Sequence, residues 1–329
     1  MAKSAKWKRI EAAINGEPVD RVPFGFWSHF PLVDRNPEKL AQVTIEQQRR
    51  YDMDYVKVMF RSTWGVEDWG CLAETYNPVI GSWVVNKRAI QTLDDWRNLK
   101  PLAPDQGALG EQLYLLRKVA EEIKGDAPVL ATLFSPSMLA AKLAGTDTIE
   151  RHLKEDPAAV RTGIEVISET LTNFAIACLQ NGADSFFFAF QEAQRQLPSG
   201  LGNQSLGELY DKPLLEKLVQ QSNFIMLHAH GDNLKFDEIA SYPGHVINWY
   251  DREAGPSLRE ARAITAKALA GGIDHDRTLL NGSPAEIAAE IREAISQVNG
   301  TGLIIAPGCG TPITVTAESL EALRSAIAG

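Results

Sequence analysis

The chain has 329 residues, of which 44% are hydrophobic and 23% charged, enough apolar material for a sizeable core. A formal net charge of −9 and a pI near 5.3 exclude the dense basic surface that binds nucleic acid, and no apolar run approaches the ~20 residues of a membrane helix. Cys71, Cys178 and Cys309 cannot all pair, and they lie too far apart for a disulfide framework.

The N-terminal "MAKSAKWKRIEAAINGEP" predicts a polar amphipathic helix rather than a signal peptide, since it has neither an apolar central region nor a cleavage site. The cytoplasm is therefore the expected compartment. "RVPFGFW" (21–27) and "YVKVMF" (55–60) predict strands, and "SWVVNKRAI" (82–90) a hairpin arm. Beyond about residue 125 short apolar runs alternate with longer helical segments. The runs are "PVLATLF" (128–134), "DSFFFAF" (184–190), "NFIMLHAH" (223–230), "HVINWYD" (245–251), "AKALAGGID" (266–274) and "GLIIAPG" (302–308). They are apolar throughout rather than alternating, as in a parallel sheet covered on both faces. Residues 156–182 and 283–300 predict helices. Ser283 fits an N-cap with Pro284 at the first helical position and Glu286 completing a capping box, and Asn299-Gly300 suits a left-handed end.

No linker, repeat or low-complexity tract interrupts this pattern, which persists to the last helix, "TAESLEALRSAIAG". The expectation is one domain over residues 1–329, a single (β/α)8 TIM barrel with N-terminal helical and hairpin additions. A doubly wound sheet is the second choice, weakened because no Gly-x-Gly-x-x-Gly follows a strand.

In such a barrel the chemistry sits at the C-terminal ends of the strands. Those positions hold Trp27 and His29, Arg61, Ser135, Gln191 and Glu192, His228 and His230, Trp249 and Asp251, Asp274 to Asp276, and Cys309. The two remaining histidines read as a solvated helix residue (His152) and a strand start (His245). His228 and His230 are two apart on a strand, share a face and can reach one metal ion. The plainer alternative is a pair of partly buried imidazoles bonded to carbonyls. Cys309 ends the last strand between Gly308 and Gly310, where a tight turn can present its sulfur. Two imidazoles and a thiolate make a zinc set with one open position, and another divalent metal is also possible.

Trp27, Phe30, Trp64, Phe190 and Trp249 suggest a flat or apolar substrate wall, or simply core. Arg61 and Arg35 could hold a carboxylate, though solvated surface positions suit them as well. His29, Asp251 and Glu192 are candidates for acid–base work or for orienting a ligand histidine.

"DRVPFGFWSHF", "GADSFFFAF", "LHAHGDN", "GGIDHDRTLLNGSPAEI" and "GLIIAPGCGTPITVTAESLEALRSAI" together resemble the uroporphyrinogen decarboxylase superfamily, more closely its cobalamin-dependent methyltransferase branch. The resemblance implies a single (β/α)8 barrel and zinc bound through a His-x-Cys motif plus a distant Cys in a "PGC" turn. His228 matches the histidine and Cys309 the distal cysteine. His230 stands where the first cysteine is expected, so one thiolate and two neutral imidazoles would leave a zinc site at +1 rather than neutral. "GGID" already accounts for the turn before His275, which is placed behind the ligands, facing substrate.

The arginine-rich motif of the decarboxylases, of the form "RQAGRYLPEY", is missing; "GFWSHFPLVDRNP" stands there. The implied function is methyl transfer between a methyl-corrinoid or small methyl donor and a thiol-like acceptor. No D-x-H-x-x-G corrinoid motif is present, so cobalamin would arrive free or on a partner corrinoid protein. A homodimer is a further expectation. The alternatives are a metal-dependent lyase or decarboxylase for a small aromatic or carboxylated substrate, and a non-catalytic ligand-binding barrel.

Overall fold

A computed structural model describes residues 3–123, 125–190, 204–232 and 234–328. Its strands are β1 (Val56–Val58), β2 (Thr75–Tyr76), β3 (Trp83–Val84), β4 (Val129–Phe134), β5 (Ser185–Phe190), β6 (Met226–Ala229), β7 (Val246–Asn248), β8 (Ala268–Ile273) and β9 (Leu303–Pro307). Seven of them form one parallel sheet in the order β1-β4-β5-β6-β7-β8-β9. Every residue in those seven strands is buried. The uninterrupted apolar runs are thus explained by a curled sheet with helices on its outside and side chains filling its inside. Each of the six runs after residue 125 becomes one strand.

The expected strand at 21–27 is only partly realised. Phe24 and Ser28 make isolated parallel bridges to Ile305 and Thr311. Gly25 donates to the Ile305 carbonyl and Ile305 to that of Pro23, while Asp54, just before β1, donates to Phe24. This segment therefore lies between β9 and the start of β1 without a continuous ladder. Pro23 supplies no N–H. Gly25 is required by close approach: a Cβ there would come within 2.5 Å of the Tyr55 ring. The expected hairpin arm at 82–90 is realised as β3, paired antiparallel with β2, and as an antiparallel bridge from Lys87 to Leu72.

Helix ends follow local chemistry. Ser4 caps Ala5–Asn15, which ends at Gly16 with φ +69°. Ser283 and Glu286 form the reciprocal capping box of Pro284–Gln297, and Asn299 and Gly300 beyond it are left-handed, with φ 53° and 67°. His152 is not solvated: it is buried on its helix, and its Nδ1 accepts from Trp96 Nε1 at 3.0 Å. No described helix is long and apolar enough to cross a membrane.

Candidate metal centre

Parity along β6 puts His228 on the inner face of the curled sheet, and His230 continues the same face one step beyond the strand. Cys309 follows β9 by two residues. The fold brings these three together, with one ligand-capable atom of each lying within 4.8 Å of the others. Cys309 Sγ is 3.8 Å from His228 Nε2 and 3.5 Å from His230 Nδ1. Zinc–sulfur and zinc–nitrogen bonds of about 2.3 and 2.05 Å at a tetrahedral angle span a ligand–ligand edge of about 3.6 Å. The observed separations fit that edge. His228 is buried, whereas His230 and Cys309 are part-exposed, so the cluster has one open side.

The imidazole of His228 is oriented by a residue the sequence reading missed. Asn248, wholly buried on β7 opposite His228 in the parallel register, accepts at Oδ1 from His228 Nδ1 at 2.6 Å. Its Nδ2 donates to the carbonyls of Ala270 (2.9 Å) and Pro307 (3.0 Å). Those two carbonyls fix which end of the amide faces His228. Oδ1 can only accept, so Nδ1 carries the proton and the Nε2 lone pair faces Cys309. An asparagine in the apolar run "HVINWYD" was the available signal. On the other side the Tyr250 hydroxyl lies 3.1 Å from His230 Nδ1.

The electrostatics favour a thiolate. Burial resists ionisation of Cys309, but the two imidazoles outweigh it and hold the thiol well below its usual range. Burial lowers the His228 pKa, with Cys309 opposing. For His230 burial also pulls down, but the Cys309 charge prevails and the net shift is upward.

The remaining candidates divide. Trp27 is buried beside the cluster, edge-on to Phe187 at 4.9 Å and to His228 at 6.4 Å between ring centres. His29 is half-buried with an unpartnered Nδ1. Burial, then the charges of Lys57 and Lys142 against the opposing pull of Cys309, bring its pKa down to about 3, so the ring is neutral.

Three aromatics expected at a substrate wall are core instead. Trp64 stacks between Phe134 and Phe174, at 5.4 and 4.7 Å. Trp249 faces outward onto Phe236, and its Nε1 donates to Pro256. Phe190 also faces outward, onto Tyr242. Phe187, on the opposite parity of the same strand, is the ring that lies against His228, 4.9 Å between centres.

Arg61 is not a solvated residue. It is buried, and its guanidinium is gripped by both carboxylate oxygens of Glu67 (2.8 and 2.7 Å) and by Glu111 (3.0 Å), which leaves no free face for a substrate carboxylate. Arg35 lies over the Trp83 ring at 4.1 Å.

Asp251 does not orient His228, whose Nδ1 is held by Asn248 instead. Its buried carboxylate accepts from Gly272 N–H at 3.1 Å and lies 3.5 Å from Arg252 Nε, bracing the end of β7 against β8. His275 is buried behind Tyr250, 5.3 Å between ring centres, with Nδ1 3.3 Å from Glu253 Oε1. It groups with Glu253 and Asp274 rather than with the metal cluster. In that second group Asp274 is already occupied by the amides of Asp276 and Arg277 and by Arg277 Nε. Glu192 and Gln191 lie outside the described residues.

The family model for "Uroporphyrinogen decarboxylase (URO-D)" matches residues 5–329. The chain belongs to the uroporphyrinogen decarboxylase family. It is 21% identical over 328 residues to a methylcobamide:CoM methyltransferase of Methanosarcina acetivorans, covering 95% of each chain. It is 24% identical over 369 residues to a uroporphyrinogen decarboxylase of Idiomarina loihiensis, covering 99% of this chain and 96% of the relative. Among solved structures, a methyltransferase from Methanosarcina mazei superposes with a TM-score of 0.82 at 21% identity, covering 99% of both chains, a likeness in fold. The chain is thus an enzyme of the uroporphyrinogen decarboxylase superfamily, whose matched members include methyltransferases and decarboxylases.

Proposed function

We propose that this enzyme is a metal-dependent methyltransferase. It would move a methyl group between a methyl-corrinoid or small methyl donor and a thiol-like acceptor, using a divalent ion, zinc in the first place, held by His228, His230 and Cys309. The observation that carries the reading is the fixed Asn248 amide, which aims the His228 Nε2 lone pair at the Cys309 sulfur. A held Nδ1 alone would suit a core histidine too, as Trp96 holds that of His152; what sets His228 apart is that its free Nε2 faces the Cys309 sulfur beside His230. The ratio of one thiolate to two neutral imidazoles gives a +1 centre, which when loaded would lower the pKa of a bound thiol or water. The half-exposed edges of His230 and Cys309 leave the side on which an acceptor would enter. Corrinoid would come free or on a partner protein. We also read the whole chain as one barrel domain, with the Pro23–Ser28 segment as its eighth stave between β9 and β1.

The test combines elemental analysis with a transfer assay from methylcobalamin to a small thiol. The expected result is about one divalent ion per chain, lost together with activity in Cys309→Ala and His228→Ala. Full activity in metal-free protein would overturn the mechanism. Carbon dioxide released from a carboxylated substrate, with no methyl transfer, would move the enzyme to the decarboxylases.

A further inference from the structure

The second group of ligand-capable side chains, Glu253, Asp274 and His275, is built by adjacent strands. Asp274 and His275 follow β8 directly, and Glu253 lies in the turn after β7, the neighbour of β8 in the sheet. One oxygen or nitrogen of each lies within 4.8 Å of the others. His275 is 2% exposed, and its Nδ1 is buried with no hydrogen-bond partner among the described residues, although Glu253 Oε1 stands 3.3 Å away. At the other edge of the ring Nε2 faces Asp276 Oδ2 at 3.6 Å. A carboxylate behind one ring nitrogen and ligand oxygens gathered at the other is the arrangement that histidines adopt at metal ions. Asp274 has room to take part. Its Oδ1 is filled by the amides of Asp276 and Arg277, whereas Oδ2 receives Arg277 Nε alone, from a side chain that is 74% exposed. An ionised carboxylate oxygen accepts at two sites, so Oδ2 keeps one free. Three carboxylates thus meet here against the single guanidinium of Arg277, and the lone pair of a neutral Nδ1 would face two of them. Only a cation relieves that repulsion.

We propose that Glu253, Asp274 and His275 form a second divalent-cation site, separate from the His228, His230 and Cys309 cluster. Its donors are one imidazole nitrogen and two carboxylate oxygens, with no sulfur, a set that suits a hard-to-borderline ion of the Mn2+ type. The ion would be structural, tying the turn after β7 to the turn after β8. Between the two groups stands Tyr250, whose ring lies edge-on to His275 and whose hydroxyl meets His230. The proposal does not depend on the methyltransferase reading.

The test is titration of the metal-free full chain with Mn2+, reading the free ion by its electron paramagnetic resonance signal. The wild type and Cys309→Ala should each bind about one Mn2+ per chain. His275→Gln and Glu253→Gln should each weaken that binding roughly tenfold or more. Mn2+ should also raise the melting temperature of the wild type, since it binds only the folded chain, and should leave that of His275→Gln unmoved. Glu253→Gln, which alters a residue in an exposed turn, carries the test if the histidine variant does not fold. Absence of Mn2+ binding in the wild type, or binding that survives both substitutions, overturns the site and leaves His275 as an imidazolium between Glu253 and Asp276. Binding lost in Cys309→Ala but kept in His275→Gln also overturns it, by assigning the ion to the first cluster. None of these outcomes changes what the zinc and transfer assays report of that cluster.

Discussion

Replacing Asn248 with alanine would strand three partners at once: the carbonyls of Ala270 and Pro307 and the Nδ1–H of His228. Each buried group left unsatisfied costs about 1–3 kcal/mol, and loss of a residue that orients a ligand histidine lowers metal affinity roughly 10–100-fold. Asn248→Ala should therefore be less stable to denaturant and should release zinc to a chelator of known affinity far more readily than the wild type. Unchanged zinc affinity in a folded variant would show that the amide positions the strands and not the ligand. The triad itself was legible because histidine and cysteine at strand ends are conspicuous in apolar surroundings. Asn248, Tyr250 and Lys57 were not, since each sits inside a run that reads as buried strand, and only the register reveals what faces them. Arg61 misled in the opposite direction: an arginine looks solvated until Glu67, six residues on, and the distant Glu111 are seen to enclose it.

Along a strand, one position separates lining from packing. Phe187 and Phe190 on β5 belong to the same aromatic run, yet an odd spacing sends one ring to His228 and the other out to Tyr242. Asn248 at the end of β7 and Trp249 just beyond it divide the same way. Composition identifies such runs as strands but leaves parity open until a neighbouring strand is in place. Asp251 illustrates what the end of a strand can cost. Burial, only partly offset by Arg252 and the Gly272 amide, lifts its carboxyl to about 7, against about 3.9 in an unfolded chain. Between these values the folded protein holds a proton that the unfolded chain has released, so this group makes stability fall as pH rises from about 4 to about 7, with no further loss above. Asp251→Asn retains an acceptor for Gly272 and cannot ionise. Its stability relative to the wild type should grow across that window, by at most roughly 1.4 kcal/mol per pH unit. Urea unfolding at several pH values reads this directly, and a difference independent of pH would show that the carboxyl is ionised throughout.

For the molecule as a whole, the helix-covered parallel sheet was readable from residue 125 onward because strands buried on both faces leave unbroken apolar runs. The first third was less so. The segment at 21–27 is held by single bridges and by Gly25 lying flat against Tyr55, which no periodicity announces. The same region lacks the arginine-rich motif expected of the decarboxylases. "GFWSHFPLVDRNP" offers aromatic rings where a porphyrinogen's propionates would need several guanidinium groups, and the buried Arg61 is fully engaged. Uroporphyrinogen incubated with the enzyme should accordingly yield no coproporphyrinogen by chromatography, and appreciable decarboxylation would place the chain in the other branch.

The hydrogen bonds between the Pro23–Ser28 segment and β9 join residues nearly three hundred positions apart, among them Thr311 to the Trp27 carbonyl. Contacts so distant in sequence form late, since the intervening chain must first be ordered. During synthesis, which proceeds from the N-terminus, β1 and β4 to β8 can assemble while the Cys309 sulfur has not yet been made. A nascent chain would hold His228 and His230 without the Cys309 sulfur, on the proposed reading a poor trap for zinc. If the cluster holds zinc as proposed, its capture would be deferred until β9 docks, and retained zinc would mark chains that have finished folding.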